Sequence, residues 1–224
     1  MKKVKAVKNP IRILIINKKL ILDQLRRVIK NGNFNYRTFG TAIENYLSDI
    51  LIRIFKKNSL IKSSNDYILA PDKNYFPDFE LKTNPSIAIE YKSGNSSKLL
   101  KGKWITCKNS NNDMGTLSVW PAKLKKFGGE NIYYIFVIYN FNDKVKEIVD
   151  VQIALFYKFI GLNKAGFLKY REKDGNLRPR DFYEEQPIKT FNQFQNLLNK
   201  TIVYRSKGII KKHQTILKAL SPKS

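Results

Sequence analysis

Cysteine and histidine are nearly absent: Cys107 and His213 are the single examples in 224 residues. One cysteine excludes an intramolecular disulfide framework and any cysteine-rich zinc site. Long apolar runs are missing too, and no stretch approaches the eighteen or so residues a membrane helix needs. The opening "MKKVKAVKNPIRILII" is basic, but its apolar run is short, is broken by Arg12, and precedes no small-residue cleavage site. The expectation is a cytoplasmic protein with no membrane partner. Internal repeats and low-complexity linkers are also lacking, and the length fits one domain with a real core.

Acidic residues are scarce. Eighteen Asp and Glu face 42 Lys and Arg, giving a net charge of +24, with the bases spread along the chain. Such a field favours a polyanion, nucleic acid first and an anionic membrane second. An A+T-biased genome would also enrich Lys, Asn, Ile and Tyr. If the protein cuts nucleic acid, one histidine is too few for chemistry that uses several. Carboxylates and a metal must then do the work.

Periodicity orders the elements. Helical spacing covers 18–30 and, most clearly, 36–57, where Ile43, Leu47, Ile50 and Ile54 recur on one face. Short strands follow near 67–69, 76–82 and 87–92, then an irregular polar stretch with a helix at "WPAKLKKF". The run "IYYIFVIYNF" at 132–141 reads as a central strand, and "EIVDVQIALF" alternates as a half-wet one. A charged loop spans 163–186, turning at Asp174-Gly175-Asn176, and two helices near 190–200 and 208–220 close the chain. Helix, strands, then helices imply an α/β (α+β) fold, a central mixed sheet flanked by helices.

In "FPDFELKTNPSIAIEYKSG", Phe79 and Leu81 alternate with Asp78, Glu80 and Lys82, while Ile87, Ile89 and Tyr91 alternate with Ala88, Glu90 and Lys92. Apolar must meet apolar across a hairpin, which fixes the parity of its register. A loop of three or five residues around Thr83-Asn84-Pro85 satisfies it and sets Asp78 opposite Glu90, with Lys92 on the same face. Like charges directly opposite repel, so a cation is expected between them. Two carboxylates are hard oxygen ligands suited to Mg²⁺. A neighbouring Lys can hold a metal-bound water and neutralise charge on a phosphate. An exposed hairpin of solvated ion pairs is the plain alternative. Under the same register Asp72 of Pro71-Asp72 falls opposite residue 96, far from Glu90, and Glu80 lies nearer the turn.

Pro77-Asp78 followed by Glu90-Tyr91-Lys92 resembles the PD-(D/E)XK nuclease superfamily, and within it the orthodox Type II restriction endonucleases. The likeness extends to the helix before the hairpin, where "GTAIENYL" places Glu44 shortly after Gly40. Glu44 shares a stripe with Gly40, Leu47, Leu51 and Phe55, so its carboxylate needs a metal, a water or a basic partner. No Gln-based motif of the RecB-like exonucleases follows. The resemblance covers 36 to about 156. It implies Mg²⁺-dependent cleavage of double-stranded DNA to 5′-phosphate and 3′-hydroxyl ends. Asp78 and Glu90 would be metal ligands, Lys92 would orient the attacking water, and Glu44 would be auxiliary. It also implies a homodimer on a short palindrome, a cognate DNA methyltransferase in the same system, and a bacterial cytoplasm.

Two segments are candidates for reading DNA. About 93–130 holds Lys98, Lys101, Lys103 and Lys108 for phosphates and Asn109, Asn111 and Asn112 for adenine edges. About 163–186 presents Arg171, Arg178 and Arg180 around a tight turn. Solvated loops would look the same. Trp104 and Trp120 read as core. On the same core, a repair, junction-resolving or transposon nuclease is the rival enzyme, and a non-catalytic basic DNA-binding protein the rival of another class.

Overall fold

A computed structural model describes residues 9–32, 34, 39–72, 75–95, 98–100, 103–105, 112–141, 146–181 and 185–220. Three helices open the chain: α1 (Pro10–Ile16), α2 (Lys18–Asn31) and α3 (Phe39–Lys57). Asn9 caps α1 by accepting from the amides of Ile11 and Arg12, and Pro10 fills the first position, where no donor is needed. In α2, Ile21, Leu25 and Ile29 recur every fourth residue and are buried. In α3, Leu47, Leu51 and Phe55 make a fully buried stripe.

The strands β1 (Tyr67–Leu69), β2 (Phe79–Leu81), β3 (Ile87–Asn95), β6 (Ile132–Phe141) and β7 (Lys146–Leu155) form one mixed sheet in the order β1-β2-β3-β6-β7. Only β3 and β6 are parallel. The chain between them carries a separate hairpin, β4 (Lys98–Leu100) with β5 (Lys103–Ile105), and the helix α4 (Trp120–Phe127). In β6, alternate residues feed opposite cores. Ile135 and Val137 join α1–α3 on one face, while Tyr134, Phe136 and Ile138 pack with Trp120, Phe156, Phe159 and Phe194 on the other. Trp120 stacks on Phe156 at 4.2 Å between ring centroids.

Several boundaries differ from the sequence expectation. β2 is shorter than 76–82, and β3 runs on to Asn95 because its bonding to β6 extends through that residue. The stretch after Lys92, read as irregular, contains the β4–β5 pair. The C-terminal region is one helix, α5 (Phe191–Leu220), not two. Residues 201–207, expected to separate two helices, are helical; exposed Gly208 costs a helix only about 1 kcal/mol, and no proline lies within α5.

Candidate active site

The β2–β3 ladder pairs Phe79 with Ile89, Glu80 with Ala88 and Leu81 with Ile87. One step further along this register, Asp78 stands across from Glu90, with residues 82–86 forming the turn. β3 pairs with β2 at Ile87–Ile89 and with β6 from Ala88 to Asn95, which sets Glu90 beside Tyr134 and Lys92 beside Phe136 of the central strand.

Asp78 Oδ2 accepts a hydrogen bond from the Tyr91 amide at 2.6 Å. Lys92 Nζ donates to Glu90 Oε1 at 2.8 Å. Glu90 is only 9% exposed, and its Oε2 is buried without a hydrogen-bond partner. A buried, unpaired carboxylate oxygen is costly. Burial, and then the charge of Glu90, push the Asp78 carboxyl up to about 7, despite the Tyr91 amide and Lys92. Burial alone would lower Lys92, but the carboxylates of Glu90, Asp78 and Glu44 outweigh it and hold the ammonium above its ordinary value.

Glu44 approaches the far end of β3 from α3, where its Oε1 accepts from Ser93 Oγ at 3.1 Å. Burial raises its pKa most, opposed by Lys92 and Ser93. Ser93 points to the face opposite Glu90 and Lys92 by strand alternation. Gly40 permits this approach: a Cβ there would lie 2.7 Å from Ser93 Oγ. Among the described residues no three His, Cys, Asp or Glu side chains converge into a metal cage. The site therefore offers the two carboxylates Asp78 and Glu90, with Glu44 supporting β3. Glu80 is engaged by Lys126 at 3.1 Å, and Asp72 is exposed.

The candidate DNA-contact residues are scattered. Lys98 and Lys103 belong to β4 and β5; Lys101, Lys108, Asn109 and Asn111 lie outside the described residues. Asn112 is buried, with an unpartnered Nδ2. Arg171 pairs with Asp113 at 2.9 Å and with Asp174, while Arg178 pairs with Asp113 at 2.7 Å. These guanidinium groups tie the 163–186 loop to the segment before α4. Arg180 is buried, donating to the Lys158 and Asp181 carbonyls. Trp120 is fully buried, whereas the Trp104 side chain is outside the described set.

One neighbour of the site escaped sequence reading. Lys123 of α4 has its pKa lowered to about 8, first by burial and also by Lys92, against the pull of Glu90 and Asp78. The available signal was the pair of lysines at helical spacing in "WPAKLKKF", but nothing local says which strand that helix covers.

No family model and no curated protein sequence matches this chain. Among solved structures, the NlaIV restriction endonuclease is similar at a TM-score of 0.58, with 14% sequence identity, over 84% of this chain and 79% of that one. At this identity the likeness is one of fold. The chain has a restriction-endonuclease-like fold.

Proposed function

We propose that this protein is a metal-dependent nuclease that hydrolyses phosphodiester bonds of double-stranded DNA at a specific short site, as a Type II restriction endonuclease of the PD-(D/E)XK kind. The observation that carries the reading is the Asp78–Glu90 pair: two half-buried to buried carboxylates facing each other, one oxygen without a partner and one carboxyl driven to hold its proton. Removing water from such a pair is unfavourable unless a cation takes it up.

The donor set fits Mg²⁺, which prefers oxygen ligands and keeps sites for water and phosphate. Asp78, through the oxygen not held by the Tyr91 amide, and Glu90, through Oε2, would hold it. A bound Mg²⁺ would polarise the phosphate and make a coordinated water more acidic. Glu90 divides its two oxygens, Oε1 fixing Lys92 and Oε2 left free. Lys92, held by Glu90 Oε1, would orient the attacking water and offset phosphate charge. The water oxygen would bond to phosphorus as the P–O3′ bond breaks, the proton it loses passing to solvent and the departing O3′ taking one from solvent water, to leave 5′-phosphate and 3′-hydroxyl ends. Glu44 holds the end of β3 through Ser93. Specific reading is assigned to the segments around β4–β5 and 163–186. Function as a homodimer on a palindrome, beside a cognate methyltransferase in a bacterial cytoplasm, belongs to the same proposal. No helix among the described residues is long and apolar enough to cross a membrane.

Digestion of a fully sequenced phage DNA with Mg²⁺ tests this. The wild type should give a reproducible ladder of fragments that Asp78→Ala and Lys92→Ala lose, and Lys92→Ala should still shift duplex DNA in a gel. A smear, or a preference for branched substrates, would favour a repair or junction enzyme. Cutting retained by Lys92→Ala would place the chemistry elsewhere.

A further inference from the structure

Helix α4 reaches β2 through Lys126, which meets Glu80. Its lysines 123 and 126 are separated by nearly one turn, about 5 Å along the axis. Asp78 and Glu80 stand two residues apart on the strand side, about 7 Å. The spacings are close enough for each lysine to meet one carboxylate. Lys126 does so, reaching Glu80 at 3.1 Å.

Lys123 does not. Its Nζ lies 3.5 Å from the centroid of the Phe76 ring and 5.2 Å from that of Trp120. Gly115, at φ +91°, backs the same ammonium, and a Cβ there would come within 3.2 Å of Nζ. Among the described residues Lys123 forms no ion pair. It is half-buried, yet close enough to Asp78, Glu90 and Lys92 to feel all three charges. The side chain is thus held by two rings and a glycine backbone, feeling the charges of Asp78 and Glu90 but in no ion pair with either. Aromatic faces attract such a cation only weakly, and they leave its N–H donors unused. An anionic oxygen brought to such an ammonium would gain a charge-assisted hydrogen bond, stronger than a neutral one.

We propose that Lys123 binds DNA phosphate: its ammonium contacts a non-bridging oxygen of a backbone phosphate presented to Asp78 and Glu90. The proposal deepens the nuclease reading and rests on it for the identity of the anion. Phe76 directly precedes Pro77-Asp78, so the ring that orients the ammonium belongs to the segment that supplies the carboxylate. The contact with Phe76 therefore brings Lys123 near the segment that carries Asp78.

The test compares wild type, Lys123→Met, Lys123→Gln and Lys123→Arg. Met keeps the apolar stem against Phe76 and Trp120, and Gln is the second neutral variant should Met fail to fold. Binding of a short labelled duplex is measured in EDTA across a series of KCl concentrations. Loss of one phosphate contact should lower the slope of log affinity against log salt by about 0.9 in the neutral variants, with Arg restoring it. Cleavage of phage DNA in Mg²⁺ should slow by about 10²-fold in the neutral variants. Melting temperature separates this from a merely structural role. Removing an unmatched, half-buried charge should leave the melting temperature of Lys123→Met at or above that of wild type, whereas a structural lysine would lower it and leave the slope alone. An unchanged slope in both neutral variants overturns the proposal. Wild type that binds but never cuts, with the slope still reduced by Lys123→Met, would sink the nuclease reading and leave the phosphate contact standing.

Discussion

Asp78, just before β2, holds its proton to higher pH than an ordinary aspartate, first because it is buried and then because Glu90 faces it. Its folded value, about 7, lies above the ordinary 3.8, so the folded state binds more protons between the two. The resulting stability is fully present below about pH 4 and is lost as pH rises through about 7. Asn mimics the protonated form, so in EDTA the melting temperature of Asp78→Asn relative to wild type should climb from pH 4 to pH 8. A pH-independent difference would remove the coupling argument. Millimolar Mg²⁺ at pH 8 should raise the melting temperature of wild type and do so much less in Asp78→Asn, because only an ion that prefers the folded site stabilises it. At this scale the sequence was informative. Alternation of Phe79 and Leu81 with Asp78 and Glu80 is a local property, and parity then dictates which side chains share a face. Lys123 was not legible, because its relation to Asp78 depends on where α4 lands.

Helix α3 and strand β3 approach closely at Gly40 and Ser93, where a methyl group would sit 2.7 Å from Ser93 Oγ. Gly40→Ala should therefore destabilise the fold by about 1 kcal/mol or more, read by chemical denaturation, and displace Ser93 from Glu44. Full wild-type stability in that variant would show that the contact gives way freely. Helix α5 offers the opposite case. Gly208 has open space around it, so Gly208→Ala should stabilise the helix locally by about 1 kcal/mol, seen as slower hydrogen exchange of amides near 208. Element identity was readable in α2, α3, α4, β6 and β7, whose apolar spacing extends over several turns or many strand positions. Continuity of α5 across 201–207 was not readable, because burial of Phe194, Leu198 and Thr201 anchors only its first half and leaves the rest without a buried stripe to mark it.

For the whole molecule, the excess of 42 basic over 18 acidic residues makes ionic strength the strongest external lever. Affinity for random-sequence duplex should fall linearly on a log–log plot against salt, with a slope of about 0.9 per phosphate neutralised. A flat plot would mean that the charge serves something other than nucleic acid. The exposed half of α5 contributes to this field: Lys207, Lys211, Lys212 and Lys218 lie on it, with no acidic residue from 186 onward.

By itself the sequence determined the helices and strands with strong period, the mixed α/β composition of the fold, and the grouping of Asp78, Glu90 and Lys92. Each follows from side-chain direction over a few consecutive residues, or across one short turn whose register has few solutions. Long-range packing alone sets β3 parallel beside β6, brings Lys126 of α4 to Glu80 and Lys123 to Phe76, and closes Arg171 and Arg178 on Asp113. Those relations join residues tens of positions apart. No local period encodes them; they follow from which apolar faces can be buried together once the chain has closed its long loops.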